Sequence, residues 1–356
     1  MKNKLLIKPE DVKPSFQNWQ VKGALNPAAI RLPNGKIMLY IRVAEQPHMH
    51  KGKLIHCPIV VPGKGYKIGT EKINKLDIVD KEEHVIHLKN GTCRLTTFSH
   101  LRKVILNENG FDVEYIGNKP VFTGTPQEGQ YGVEDPRIMK LRDQYAMSYV
   151  TVSAQEGVCT SLAVSEDLVD WQRKGIIFRE QNKDVVIFPE KIDGKFVALH
   201  RPEGFFQFSK PSIWISYSPD LVYWGKEKSI IQPRENSWES ERIGPGAPPI
   251  KTEQGWLEIY HGVKKVGGKN VYSAGATLLD LRNPEKILAR SPENEPLFYP
   301  TEDYETSGFV NSVVFPTAAI ADLNKKDLLI YYGGADSVTA VRKIRLLDIL
   351  DHMEYY

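Results

Sequence analysis

What the chain lacks narrows the choices first. Its 356 residues include only three cysteines, Cys57, Cys93 and Cys159. They are odd in number, widely spaced and outside any Cys-x-x-Cys or Cys/His pattern, which excludes a disulfide framework and a zinc site and leaves reduced core residues. No apolar run reaches the roughly 18 residues of a membrane-spanning helix. The N-terminal Met1-Lys-Asn-Lys-Leu-Leu-Ile-Lys8 is too short in apolar residues for a signal peptide. The expected location is the cytoplasm as the sequence stands, or the periplasm if a signal has been removed. An excess of one charge is also missing: 47 Lys and Arg face 44 Asp and Glu, a net charge of +3. With the lysines scattered, neither nucleic acid nor an anionic membrane is an expected partner. The acids lack the spacing of a calcium-binding EF-hand loop, and no metal or cofactor is expected. Long amphipathic helices are scarce too; only Glu285–Arg290 and Val341–Tyr356 are candidates, both short or ambiguous.

What is present is a strand–turn–strand unit that keeps returning. Its turns fall at Asn34-Gly35, Asn90-Gly91, Arg142-Asp143, Asp193-Gly194, Gln254-Gly255 and Asn324-Lys325, each between apolar-rich runs. Asn-Gly and Asp-Gly turns in that setting are the strongest short-range hairpin signal. Successive turns lie 56, 52, 51, 61 and 70 residues apart, the size of a four-stranded propeller blade with its connections. A second repeat, Ser-x-Asp-Leu-Val-x-Trp, occurs at Ser165–Trp171 and Ser218–Trp224 and predicts a tight turn followed by an aromatic plug. With 16 Tyr, 13 Phe and 6 Trp, the chain suits a β protein and also platforms for stacking sugars. The expected fold is all-β, one β-propeller domain over residues 1–356 with blades over about 20–340, and turn counting leaves five or six blades.

In a propeller the loops at one mouth converge on the axis, and the unusual polar residues here fall at corresponding ends of the repeats. Tyr131-Gly-Val-Glu-Asp-Pro-Arg-Ile138 is the most constrained of them. Pro136 biases Asp135 towards extended backbone, and Arg137 then shares its face. Asn26 and Arg42 flank the first hairpin; Glu190, Lys191, His200 and Arg201 flank the fourth. Glu241, Arg242, Tyr260 and His261 flank the fifth; Tyr304, Glu305 and Asp336 flank the sixth. Singly, each has a plainer account as a turn cap, a strand-end histidine or a surface ion pair. Together they predict a charged axial pocket with interleaved aromatic rings, which suits carbohydrate chemistry, where paired acids act across an acetal.

The motifs Gly132-Val-Glu-Asp-Pro-Arg-Ile138, Phe188-Pro-Glu-Lys-Ile-Asp-Gly-Lys195, His200-Arg-Pro202, Arg242-Ile-Gly-Pro-Gly-Ala-Pro-Pro-Ile250, Tyr260-His-Gly-Val263, Tyr272–Asp280 and Tyr304–Val310 with Val314-Phe-Pro316 resemble glycoside hydrolase family 130. The resemblance runs from about Asn26 to Asp336. It implies a five-bladed β-propeller that acts on β-mannosides with inversion, as a hydrolase or a phosphorylase. It also implies that Asp135 is the general acid, with its proton reaching the glycosidic oxygen through the mannose 3-hydroxyl in the phosphorylases. Phosphorylases of the family can carry Arg before the Lys of Phe-Pro-x-Lys, where this chain has Glu190. They can carry Lys before the Ile-Gly of the fifth repeat, where it has Arg242 preceded by Glu241. Carboxylates there would repel phosphate and suit water activation, so the expectation is an inverting β-mannosidase with Glu190 or Glu241 as base. The base would stand about 6.5–9.5 Å from the acid. Binding of the oligosaccharide falls to Asn26, Arg42, Arg137, Lys191, His200, Arg201, Arg242, Tyr260, His261, Tyr304, Glu305 and Asp336. Arg42–Glu45 and Ser99–Arg102 resemble the branch acting on β-1,2-linked mannosides. The alternatives are a β-mannoside phosphorylase, with inorganic phosphate as co-substrate, and a non-catalytic mannoside-binding propeller.

Overall fold

Turns rich in Asn, Asp and Gly reverse the chain at the places the sequence marks. The computed structural model describes residues 2–48, 52–62, 67–82, 84–204 and 208–356. At the first turn Trp19–Arg31 pairs antiparallel with Ile37–Pro47, and Gly35 takes the left-handed φ of 82° that the turn requires. The same construction repeats until nearly all regular structure is strand. The longest helix among the described residues is Leu346–His352, and none is long and apolar enough to cross a membrane.

Among the described residues five large antiparallel sheets follow one another in sequence. The first holds Trp19–Arg31, Ile37–Pro47, Phe98–Leu106 and Val113–Ile116; the second, Val133–Lys140, Tyr145–Ser153, Gly157–Ser165 and Gln172–Phe178. The third holds Asn182–Ile187, Phe196–Pro202, Ile213–Ser218 and Gly225–Ile231. The fourth is built on Arg242–Pro245, Trp256–Val266, Lys269–Leu279 and Ile287–Arg290, and the fifth on Val314–Ala321, Asp327–Gly334 and Val338–Arg345. The N-terminal Lys2–Ile7 supplies the fourth strand of this last sheet, pairing with Val338–Arg345. Leading strands gather together: Trp19–Arg31 packs on Val133–Lys140 and on Val314–Ala321, and Asn182–Ile187 touches Val133–Lys140 and Arg242–Pro245. The Asn90-Gly91 hairpin is not a sixth large sheet. It belongs to an excursion between the second and third strands of the first sheet, in a small sheet of Ile78–Glu82, Val85–Leu88 and Cys93–Leu95.

Apolar side chains fill the spaces between neighbouring sheets. Phe188, Leu199 and Ile215 of the third sheet region pack with Trp238, Trp256 and Tyr260 of the fourth. Each such side chain, once fully buried, contributes about 1.5–3 kcal/mol. The Ser-x-Asp-Leu-Val-x-Trp turns form as expected: Asp167 Oδ1 accepts from the amides of Val169 and Asp170, and Asp220 Oδ1 from those of Val222 and Tyr223. The plug, however, is the leucine. Leu168 and Leu221 are both 4% exposed, while Trp171 and Trp224 are only partly buried.

A second device recurs in three sheets. A glutamate just before the leading strand accepts a hydrogen bond from a tyrosine on the second strand and pairs with an arginine farther out. The sets are Glu128–Tyr149–Arg173, Glu239–Tyr260–Arg290 and Glu305–Tyr332–Arg342. Each fixes the segment entering its sheet. These clamps account for Tyr260 and Glu305, expected at the mouth but buried inside their sheets.

Candidate active site

Three leading strands are broken by a β-bulge at corresponding places, where the pairing register slips between Leu25 and Ala28, Glu134 and Arg137, and Lys183 and Val186. The residues at those breaks are Asn26, Asp135 and Asp184, with φ of 45°, 47° and 58°. Asn and Asp tolerate this left-handed region better than other residues with a side chain, and bulges re-aim side chains beside active sites. Asp135 therefore departs from the extended conformation that Pro136 favours. The bulge overrides the bias and interrupts the alternation that would have placed Arg137 on the same face.

Asp135 sits in a small polar network. Asn26 Nδ2 and Arg42 Nη1 both donate to its Oδ1, at 2.9 and 3.1 Å. Arg42 also donates to Glu134 Oε1 at 2.7 Å and, through Nε, to Ser99 Oγ at 3.0 Å. Among the described residues only Oδ1 of Asp135 takes side-chain hydrogen bonds, which leaves Oδ2 without one. Burial opposes the charge of Arg42, but Glu134, Asp135 and Asp336 outweigh it and raise its pKa. Asp336 lines a cleft with Arg42, Lys22, Leu25, Thr97 and Phe309. Gly333 lies so close to Asn26 that a Cβ there would meet Asn26 Oδ1 at 2.0 Å, so only glycine fits.

Beside this network lies a cluster of cations. Arg137 donates from Nη1 to the backbone oxygen of Asp135 at 2.9 Å, and its Nη2 stands 3.3 Å from Asp184 Oδ1. Arg201 reaches Asp184 Oδ2 at 3.2 Å and Glu203 Oε1 at 3.1 Å, and Arg242 stands 3.4 Å from the same Glu203 oxygen. His261 Nε2 lies 3.4 Å from Arg201 Nη1 and 3.7 Å from Asp184 Oδ2. Tyr272 and Phe315 wall the cluster, with Arg242 over the first ring and Arg137 over the second. Burial by itself would raise the pKa of Asp184, yet Arg201, His261 and Arg137 hold it at about 2. Burial, reinforced by Arg201, Arg137 and Arg242, lowers His261 to about 3, so its imidazole is neutral near pH 7. Three guanidinium groups against two carboxylates leave the cluster net positive. Arg201 Nε and His261 Nδ1 are buried without a hydrogen-bond partner among the described residues.

Several residues expected at the site are elsewhere. Glu190 is 46% exposed and pairs with Lys251 at the surface, in a cleft with Lys140, Arg142 and Phe196. Lys191 beside it lies over the Phe196 ring. Phe188-Pro-Glu-Lys forms the turn after its leading strand, at the opposite end from the bulge, so neither residue meets Asp135. Glu241 pairs with Lys210 at 3.3 Å and is 34% exposed, outside the hydrogen-bonded cluster. His200 is buried between strands, its Nε2 2.7 Å from Ser216 Oγ, and burial lowers its pKa to about 3. Tyr304, half-buried, lies in the short helix Asp303–Thr306 beside Tyr332. In the segments that suggested a β-1,2 preference, Arg42 bonds Asp135, and Ser99 bonds Arg42 and Glu134. Glu45, His100 and Arg102 are wholly buried in their own network with Ser15. Asp184 and Glu203 were missed. The signal for Asp184 was its place in the third leading strand, matching Asp135 in the second. Among the described residues no three His, Cys, Asp or Glu are grouped to hold a metal ion.

A family profile described as beta-1,4-mannooligosaccharide phosphorylase matches residues 106–355. The chain belongs to glycoside hydrolase family 130. This family 130 enzyme is 34% identical over 353 residues to the beta-1,2-mannobiose phosphorylase of Listeria innocua serovar 6a, an alignment covering 98% of this chain and 96% of that one. It is 42% identical over 235 residues to a 1,2-beta-oligomannan phosphorylase of Thermoanaerobacter sp. (strain X514), covering 65% and 74% of the two. The structure of the Listeria innocua enzyme in complex with beta-1,2-mannobiose matches with a TM-score of 0.87 and 33% identity over 99% of both chains.

Proposed function

We propose that this enzyme is an inverting β-mannoside phosphorylase that splits β-1,2-linked manno-oligosaccharides with inorganic phosphate. The observation that carries the reading is the net-positive cluster of Arg137, Arg201 and Arg242 with neutral His261, bordering Asp135. Guanidinium groups are matched to phosphate oxygens through paired donors, and a buried cationic site offers the dianion what bulk water would. The hydrolytic expectation rested on Glu190 and Glu241 as bases. Glu190 pairs with Lys251 at the surface and Glu241 with Lys210, so its support is gone.

In this reading phosphate on the arginines attacks C1 of the terminal mannose as the C1–O glycosidic bond breaks. The departing oxygen takes the proton that Asp135 supplies, relayed through the mannose 3-hydroxyl as in family phosphorylases. Attack from the face opposite the leaving group gives α-mannose 1-phosphate. Asn26 and Arg42 hold one oxygen of Asp135, so the other is directed at the sugar. The β-1,2 preference is supported by the mannobiose and oligomannan phosphorylase relatives. The five sheets are read as the blades of a five-bladed propeller in one domain, with Lys2–Ile7 completing the last blade.

The test is β-1,2-mannobiose incubated with and without inorganic phosphate. Mannose 1-phosphate forming only with phosphate is the expected result. Free mannose released at an undiminished rate without phosphate would overturn the reading in favour of a hydrolase.

A further inference from the structure

Beneath Arg137 lies a carboxyl group that neither acid catalysis nor the guanidinium groups themselves use. Glu258, on Trp256–Val266, is 0% exposed. Its Oε1 accepts from the amide of Gly246 at 2.9 Å, and the carbonyl of that same Gly246 accepts from Arg137 Nε at 3.2 Å. The backbone at Gly246 is tightly wedged: a Cβ there would meet Ile259 O at 2.3 Å and Pro316 O at 2.9 Å. One residue thus joins the buried carboxyl to an arginine of the anion cluster.

We propose that Glu258 is a positioning residue for phosphate, fixing the Gly246 segment whose carbonyl sets the direction of Arg137. The role rests on the phosphorylase reading. Among the described residues Arg137 has three hydrogen-bond partners, Asp135 O, Asp184 and Gly246 O, and only the last addresses Nε. A guanidinium held at Nε keeps its two terminal nitrogens in a defined plane, which paired recognition of phosphate requires. Burial pushes the Glu258 carboxyl well up, against the opposing pull of the Gly246 bond and of Arg137. A neutral acid in this place anchors the backbone without cancelling the positive charge that phosphate needs. An ionised one would oppose the anion.

The experiment compares Glu258→Leu, which removes the acceptor at similar volume, with Glu258→Gln, which keeps a neutral acceptor. Steady-state phosphorolysis of β-1,2-mannobiose is followed with each substrate varied. Glu258→Leu is expected to raise the KM for phosphate about tenfold, the scale of one lost buried hydrogen bond. Its KM for mannobiose should stay within about twofold, and Glu258→Gln should restore the phosphate KM. An unchanged phosphate KM in Glu258→Leu, or a Glu258→Gln as impaired as Glu258→Leu, overturns the proposal. If Glu258→Leu does not fold, Glu258→Asp takes its place; withdrawing the carboxyl by one methylene must raise the phosphate KM selectively, and no change overturns the role. Wild-type turnover without phosphate would instead overturn the phosphorylase reading itself, so the two failures are distinct.

Discussion

The Glu–Tyr–Arg clamps and the cluster around Asp184 are both buried charge, yet they are built to different rules. In the fourth-sheet clamp Glu239 takes Tyr260 at 2.6 Å, Arg290 at 2.7 Å and Arg234 at 2.6 Å, while Arg290 also reaches the Tyr260 hydroxyl. Both oxygens of Glu239 are taken at 2.6–2.7 Å, one by Tyr260 and the other by the two arginines. In the central cluster the contacts are longer: Asp184 meets Arg137, Arg201 and His261 at 3.2–3.7 Å, and among the described residues its Oδ2 takes no hydrogen bond. A network closed at short range stiffens a fold, whereas a looser one holds capacity for something that arrives from outside. The difference separates scaffold from site among residues that look alike in sequence. Tyr260 and Glu305 belong to the first kind; Arg137, Arg201 and Asp184 belong to the second.

The sharpest break between the two kinds is expected at Asp135. Asp135→Asn should cut phosphorolysis by about a thousandfold, within the range for losing a general acid, and leave the thermal midpoint nearly unmoved. Initial rates of mannose 1-phosphate release check it, and full turnover would remove the assignment. Next in size is Arg201→Lys, which keeps the charge but not the fork. The phosphate KM should rise by about ten- to a hundredfold with the mannobiose KM unaffected, read from two-substrate kinetics.

Acid titration probes both kinds of burial at once. His200 and His261 have folded pKa values near 3 against an ordinary 6.5. Between those values the unfolded chain binds protons that the folded chain does not, so stability falls as pH drops below 6.5. Each histidine adds up to about 1.4 kcal/mol per pH unit. Asp184, held at about 2 against an ordinary 3.8, adds a further loss only below pH 4. Denaturant unfolding at pH 7 and pH 5 should show the drop, and stability that is flat or rises over that interval would contradict it. Smaller again is Tyr260→Phe, which opens a clamp: about 1–2 kcal/mol less stable in urea, with both KM values unchanged. Any selective change in phosphate KM would erase the distinction between clamp and site. At the bottom, Glu190→Gln should shift stability by less than about 0.5 kcal/mol and leave kcat untouched. A large loss of kcat there would restore Glu190 as a base.

The sheet order was legible because hairpin turns are local. Asn34-Gly35 and Asp193-Gly194 each specify a reversal within a few residues, and the large sheets formed where those signals stood. Asn90-Gly91 is the same signal used in a side excursion, so six marked turns correspond to five large sheets. Asp135, Arg137, Arg201, Arg242 and His261 were legible as site candidates from motif and position. Glu190 lies away from the site because its motif straddles a strand: Arg201 lies at the bulge end and Glu190 at the turn end, and sequence proximity does not say at which end of a sheet a turn sits. Asp184 stayed hidden because Lys183-Asp-Val-Val-Ile carries no proline or glycine to mark its bulge. The buried pairing that gives Asp184 its importance comes entirely from residues on other strands.

The pairing of Lys2–Ile7 with Val338–Arg345 has a consequence for the order of assembly. Lys2–Ile7 finds its partner only after more than three hundred further residues have been made. Closing so long a loop costs roughly 5 kcal/mol of chain entropy in the simplest polymer estimate, and contacts of that separation form late. The clasp is therefore a completion signal: a chain that stalls short of residue 338 leaves Lys2–Ile7 an unpaired edge. The junction between Trp19–Arg31 and Val314–Ala321, with Asn26 against Gly333, also waits for that last stretch. Asn26 thus takes its final surroundings only once Gly333 has been made and Trp19–Arg31 can meet the fifth sheet.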